Sequence, residues 1–207
     1  MKNSIPISLD KYLNYTETLF SEIDLEIKKV TKKIKPIYVG MGEENCLDIV
    51  QQEKDKDWSV WVLVEDTIFG DSNYYAARKW NAMALRLFPK LVNFIENLPI
   101  EAVGRVMIMG IDANKTVTTH IDTQFLAGAP AIPEYDRLLN ICFGDKKHMY
   151  RYNPNTKKKD YYTGRINWID VSDWHGIDPS PTFTYSVRVD AKLNNKFREL
   201  LKQTYNV

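Results

Sequence analysis

From residue 103 onward the chain becomes a succession of short runs dominated by β-branched and aromatic residues, at 103–111, 116–122, 137–143, 149–153, 161–171 and 182–189, each bounded by turn residues. Runs of this length and composition predict strands. Six in succession predict an all-β sandwich or barrel rather than a parallel sheet with crossover helices. The first hundred residues differ. A cap at Ser8 followed by Tyr12, Leu19, Ile23, Ile27, Val30 and Ile34 predicts one long or two short amphipathic helices over 8–35, ended by Pro36. A short strand is expected over 37–42 and a firmer one over 58–65, Trp-Ser-Val-Trp-Val-Leu-Val-Glu. Helical spacing returns over 74–97, with Pro89 marking a kink or a join, and a last amphipathic segment covers 194–204.

These elements predict a single domain, 1–207: a helical buttress with the first strands (1–102), a β core (103–192) and a C-terminal helix (193–207). With 44% hydrophobic and 27% charged residues the chain has the makings of an ordinary buried core. A formal charge of +1 gives no electrostatic case for nucleic acid or an acidic membrane as the main partner, and the basic clusters at 32–35 and 157–159 are expected to be solvated faces. Cys46 and Cys142 form neither a disulfide framework nor a metal-site spacing. No apolar run is long enough for a signal peptide or a membrane span, so a soluble, cytoplasmic protein is expected.

The chemistry concentrates at 116–122, Thr-Val-Thr-Thr-His-Ile-Asp, where His120 and Asp122 lie two residues apart and so on one face of a strand. Imidazole plus carboxylate makes two thirds of the facial triad that holds non-haem Fe(II) with open positions. The third ligand must be His148, just past an expected Gly144-Asp145 hairpin turn, or His175. The strand beyond His175 favours the latter. In the run 182–190, Thr184, Ser186, Arg188 and Asp190 share one face, and a guanidinium beside hydroxyls grips a planar carboxylate bidentately. The plain alternative for Arg188 is an ion pair with Asp190 or Asp173.

His120-x-Asp122, a distal His175 and Arg188 one strand beyond together resemble the Fe(II)- and 2-oxoglutarate-dependent dioxygenases. The similarity covers 104–192 and includes the approach Gly164-Arg-Ile-Asn-Trp-Ile-Asp-Val-Ser-Asp-Trp-His175-Gly176. It implies a mainly β core folded as a double-stranded β-helix, a cupin-like jelly roll, with N-terminal helices packed on the sheet. It implies Fe(II) held by His120, Asp122 and His175, with 2-oxoglutarate and O2 as co-substrates. Arg188 would pair with the far carboxylate of 2-oxoglutarate, aided by Ser186 or Thr184. Decarboxylation of the oxo acid then accompanies hydroxylation of a substrate C–H. Related halogenases have a small residue where this chain keeps Asp122, so hydroxylation is the expected outcome.

Two positions depart from the pattern. Asn114 stands where many members have glycine, but asparagine tolerates the left-handed conformation of a turn. Ser186 precedes Arg188, where many members place serine two residues after the arginine. The run Arg137-Leu-Leu-Asn140 ahead of Gly144-Asp145 resembles the aspartyl/asparaginyl β-hydroxylase and proline hydroxylase branches. Gln124, Arg137, Asn140 and Trp174 are candidate substrate contacts, and the loop 125–136 has the small and proline residues of a shaped lid. The expected substrate is a small molecule, an amino acid or a peptide side chain. Two other readings stand beside this one: a jelly-roll binding module without chemistry, and a cupin-type metalloenzyme that does not use 2-oxoglutarate.

Overall fold

The computed structural model describes residues 6–34, 37–38, 58–64, 79–121, 138–170 and 173–205. In chain order the helices are α1 (Glu17–Thr31), α2 (Ala82–Leu87), α3 (Pro89–Glu96) and α4 (Asn195–Tyr205). The strands are β1 (Ile7–Ser8), β2 (Ile37–Tyr38), β3 (Trp58–Val62), β4 (Ile100–Ile111), β5 (Val117–His120), β6 (Leu138–Ile141), β7 (His148–Asn153), β8 (Lys158–Tyr161), β9 (Ile166–Ile169), β10 (His175–Asp178) and β11 (Thr184–Leu193). They form a seven-stranded sheet in the order β1-β9-β6-β11-β4-β3-β2 and a four-stranded sheet in the order β5-β10-β7-β8. Every pairing is antiparallel. Two antiparallel sheets with the helices on one side of the larger one give the expected jelly roll with a helical backing.

Alternation along β11 explains the layering. Tyr185, Val187, Val189 and Ala191 belong to the large core that also holds Phe20, Ile23 and Ile27 of α1, Leu91 and Ile95 of α3, and Leu201 of α4. Thr184, Ser186, Arg188 and Asp190, one residue out of phase, face the other way, into the space between the sheets. The same division runs through β4, where Val106 and Ile108 join the helical core while Met107, Met109 and Ile111 pack with Val117, Met149 and Ile177 of the smaller sheet.

The helices are set by local chemistry. Thr16 caps α1 by accepting the Leu19 N–H at 3.1 Å, and α1 buries Phe20, Ile23, Ile27 and Val30, a helical spacing. Pro89 starts α3, where its missing N–H costs nothing. The next two amides of α3, Lys90 and Leu91, donate to the Glu26 carboxylate of α1 at 3.2 and 3.1 Å, so one helix caps the other. Phe20, Phe94 and Phe143 then meet with ring centroids 4.7 to 5.5 Å apart, joining both helices to the end of β6.

Several expectations change. Ser8 lies in β1 rather than capping a helix, because its backbone pairs with Asn167 of β9, and the helix waits for the cap at Thr16. The described part of 74–97 is two helices, α2 and α3, joined at Phe88-Pro89. Gly144 and Asp145 do not form a hairpin turn, since β6 and β7 belong to different sheets. β1, β8 and β10 were not anticipated. Asn114 does adopt the left-handed conformation, with φ 60°, in the turn between β4 and β5. No helix among the described residues is long and apolar enough to cross a membrane.

Asp10 ties the N-terminus to the barrel: its two carboxylate oxygens accept the Arg165 and Ile166 amides at 2.9 and 2.8 Å, at the start of β9. Two charge-assisted bonds to backbone amides predict that Asp10→Ala lowers unfolding free energy by about 2–4 kcal/mol, with Asp10→Asn intermediate. Urea denaturation with an unchanged m-value checks this.

Candidate metal centre and acid pocket

β5 and β10 lie side by side, with His120 paired directly to His175. The next pair along is Ile177 with Val117, so β5 spends three residues where β10 spends two. That bulge re-aims the strand. Val117 and His120 would face opposite ways in a regular strand, and the extra residue turns both toward the interior, where Val117 and Ile177 are packed. On the outer side, the Thr119 hydroxyl meets the Tyr150 hydroxyl at 2.8 Å. Gly176 allows this closeness: a Cβ there would lie 2.5 Å from the Tyr150 hydroxyl and 2.8 Å from the Val117 carbonyl.

The two imidazoles are 2% and 6% exposed, with ring centroids 4.4 Å apart and planes at 52°. Nδ1 of His120 lies 2.7 Å from the Thr118 carbonyl, and Nδ1 of His175 lies 2.8 Å from the Asp173 carbonyl. A carbonyl can only accept, so each bond puts a proton on Nδ1 and turns Nε2 away from the carbonyl. This is how metal-binding histidines are oriented. Asp173 has a second task, accepting from Arg151 Nε at 3.0 Å, and Arg151 is the β7 partner of His175. Asp122 lies outside the described residues, and among those described no three His, Cys, Asp or Glu side chains form a metal-binding group. His148 is exposed and pairs with Asp178 at the far end of β10, away from His120. Of the two histidines considered for the third ligand, His175 is the one brought to His120.

On the larger sheet Arg188 sits between Met107 of β4 and Asn140 of β6, and Asn140 pairs onward to Asn167 of β9. Ser186 and Thr184 share this inner face and are buried. Arg188 Nε donates to Asp190 Oδ1 at 2.8 Å, and Arg105 Nε donates to Asp190 Oδ2 at 2.9 Å. The ion pair considered as the plain alternative for Arg188 is therefore present, with Asp190 as the partner. Asn140 is buried and its amide reaches Cys142 Sγ at 3.8 Å. Trp174 is half-buried next to His175, its carbonyl accepting from the Tyr152 amide at 2.8 Å. Gln124, Arg137 and the loop 125–136 lie outside the described residues.

Sequence reasoning left Arg105 undecided between pocket and surface and missed Arg151, Asp190 in its bridging role, and Lys147. Lys147, just before β7, is 4% exposed, and its ammonium donates to the Met109 carbonyl at 2.6 Å. Burial brings its pKa down to about 8, against a weaker opposing effect of Cys142. Burial likewise pushes the Cys142 thiol up. The one signal available was phase: Lys147 precedes Met149 by two, and Met149 faces inward.

No family model and no curated protein matches the chain. Solved structures that align with it include a prolyl hydroxylase from Trichoplax adhaerens in complex with a hypoxia inducible factor peptide fragment (13% identity, 94% of this chain and 85% of that one, TM-score 0.48). A Pseudomonas putida prolyl-4-hydroxylase aligns at 8% identity over 87% and 89%, TM-score 0.45. A 2OG-Fe(II) oxygenase family oxidoreductase from Burkholderia pseudomallei aligns at 9% identity over 82% and 79%, TM-score 0.43.

Lys147 gives a pH prediction. With its folded pKa near 8 and the ordinary value at 10.5, the unfolded chain binds more protons between those limits, so wild-type stability rises with pH across that window. Relative to Lys147→Met, the wild type should be weaker at pH 7 and recover on the order of 3 kcal/mol by pH 10.5. Paired denaturation curves at pH 7, 8, 9 and 10 check the slope, and a constant difference would refute it.

Proposed function

We propose that the chain is a non-haem Fe(II)- and 2-oxoglutarate-dependent dioxygenase, most simply a hydroxylase, whose working unit is the 103–192 core buttressed by 1–102 and the C-terminal helix. The observation that carries this reading is the direct pairing of His120 with His175, each with Nδ1 against a backbone carbonyl so that Nε2 is turned away from it. Two neutral imidazoles so oriented suit a divalent metal, and Asp122 would complete the set. When bound, Fe(II) supplies O2 activation coupled to decarboxylation of the oxo acid.

The chain's own residues do the positioning. Thr118 and Asp173 lend carbonyls that fix the imidazole planes, and Arg151 holds Asp173 in turn. Arg188, with Ser186 and Thr184 on the same face, would grip the far carboxylate of 2-oxoglutarate, while Asp190 holds the guanidinium in plane from its Nε edge. Asn140 and Trp174 are the described candidates for substrate contact. Hydroxylation of an amino acid, a small metabolite or a protein side chain fits this arrangement.

The Asp190 pair also favours a second reading, a cupin-type metalloenzyme in which Arg188 is structural and 2-oxoglutarate plays no part. The two are separable by substitution. Under the leading reading His120→Ala and Asp122→Ala each abolish Fe(II) binding and succinate release, and Arg188→Ala weakens 2-oxoglutarate binding by roughly 100-fold or more, the loss of a bidentate charged pair. Succinate release that persists in both ligand variants overturns the assignment. Unchanged 2-oxoglutarate affinity in Arg188→Ala, with metal binding intact, moves the protein to the second reading.

A further inference from the structure

The register of the smaller sheet sets four side chains in one row. His120 of β5 is paired with His175 of β10, His175 with Arg151 of β7, and Arg151 with Asp160 of β8. Directly opposed residues share a face, so the row runs imidazole, imidazole, guanidinium, carboxylate across the width of the sheet. That face is the inner one. Two residues along from the last three members lie Ile177, Met149 and Tyr162, which pack between the sheets and give the row an apolar floor. The Tyr162 amide donates to the Met149 carbonyl at 3.0 Å, so the ladder between β7 and β8 continues to that level.

The outer half of the row is unfinished. The Arg151 side chain is 12% exposed, and among the described residues its hydrogen bonding is the single Nε–H to Asp173 at 3.0 Å. Four N–H donors remain on its terminal nitrogens. Asp160 stands directly opposite, and Cα atoms in such pairs are ~4.5–5.5 Å apart. Opposite charges so placed attract one another. Yet among the described residues Asp160 forms an ion pair neither with Arg151 nor with Lys158, the next residue on its face. Asp173 draws the guanidinium toward the histidine side, and Asp160 is left exposed at the edge. A positive donor fork and a negative acceptor thus stand a gap apart, in line with the histidine pair.

We propose that Arg151 and Asp160 hold the α-carboxylate and the α-ammonium of a free amino acid, which makes the substrate of this site a free amino acid rather than a residue within a peptide. This rests on the dioxygenase reading. The terminal nitrogens of Arg151 donate two parallel N–H···O bonds to the carboxylate, and the Asp160 carboxylate accepts from the ammonium. With its polar end held there, the amino acid's side chain runs back along the row, over Ile177, toward His175 and His120. A peptide bond at either end removes one of the two charges, so a residue inside a peptide leaves Arg151 or Asp160 without its partner.

The test is calorimetry on the full chain loaded with Mn(II) and 2-oxoglutarate, so that no turnover intervenes, titrated with each common L-amino acid and with its N-acetyl amide. At least one free amino acid should bind, and its N-acetyl amide should bind roughly 100-fold more weakly, the loss of both charged contacts. Asp160→Asn should weaken that amino acid about 5- to 10-fold, as befits an exposed partner, and leave the des-amino acid within about twofold. Arg151→Gln should weaken it roughly 10- to 100-fold and leave the corresponding amine, which lacks the carboxylate, within about twofold. Because Arg151 also holds Asp173, Mn(II) and 2-oxoglutarate affinities are measured in that variant. Where they change, Asp160→Asn decides alone, since Asp160 touches neither Asp173 nor the histidines. If the wild type binds 2-oxoglutarate but no free amino acid, or binds the N-acetyl amide as tightly, or if Asp160→Asn leaves the affinity unchanged, this proposal falls and the function stands. If the wild type binds no 2-oxoglutarate, both fall.

Discussion

Much of this molecule depends on one strand having two incompatible faces. β11 is paired on both sides, to β4 and to β6, so its backbone polar groups are committed and its register is fixed. Tyr185, Val187, Val189 and Ala191 supply the apolar face against which the helices pack. The opposite face carries Thr184, Ser186, Arg188 and Asp190 into the interior. A one-residue slip would exchange the faces, placing an arginine and an aspartate under α1 and α3. Hydrophobic burial on one side thus fixes the position of the polar groups on the other. The inward polar groups are held in place by packing on the opposite face of the same strand.

The histidine pair depends on a different device. Its two members come from segments 55 residues apart in sequence and meet because β5 and β10 pair. Pairing alone would not aim both rings inward together with Val117 and Ile177; the bulge at Thr118–Thr119 does that, and Gly176 makes room for it. Each ring is then fixed by a carbonyl two residues before it, Thr118 for His120 and Asp173 for His175.

How much of this the sequence carries varies with range. The strands at 103–111, 137–143 and 182–189 were legible because β-branched residues and alternation are local signals. β8 was not, because Lys158 to Tyr161 is polar and exposed on every residue and is a strand only through its hairpin with β7. β10 was hidden for another reason: His-Gly-Ile-Asp has almost no strand propensity and is ordered by two neighbours, β5 and β7. That His120 and His175 should come together was legible from residue type and order, and the two are paired. The choice of His175 over His148 is now geometric, since one is buried against His120 and the other is exposed. Arg105 and Arg151 were unreadable because their partners, Asp190 and Asp173, lie 85 and 22 residues away.

The interior charges show why a barrel of this kind holds polar groups at one level and apolar ones at another. Val60, Ile111, Val117, Met149, Ile169 and Ile177 close the space between the sheets with ordinary packing. Had the whole interior been filled this way, the two sheets would form a sandwich with nothing to bind. Instead the level of Arg188 carries Asn140 and Asn167 across two further strands, and Asn167 Oδ1 is buried without a hydrogen-bond partner among the described residues. Groups of this kind lower stability when left alone and are tolerated where something else completes them. Asp190 shows how such groups are steadied from within: one carboxylate accepts from Nε of both Arg105 and Arg188, which fixes the direction of each guanidinium.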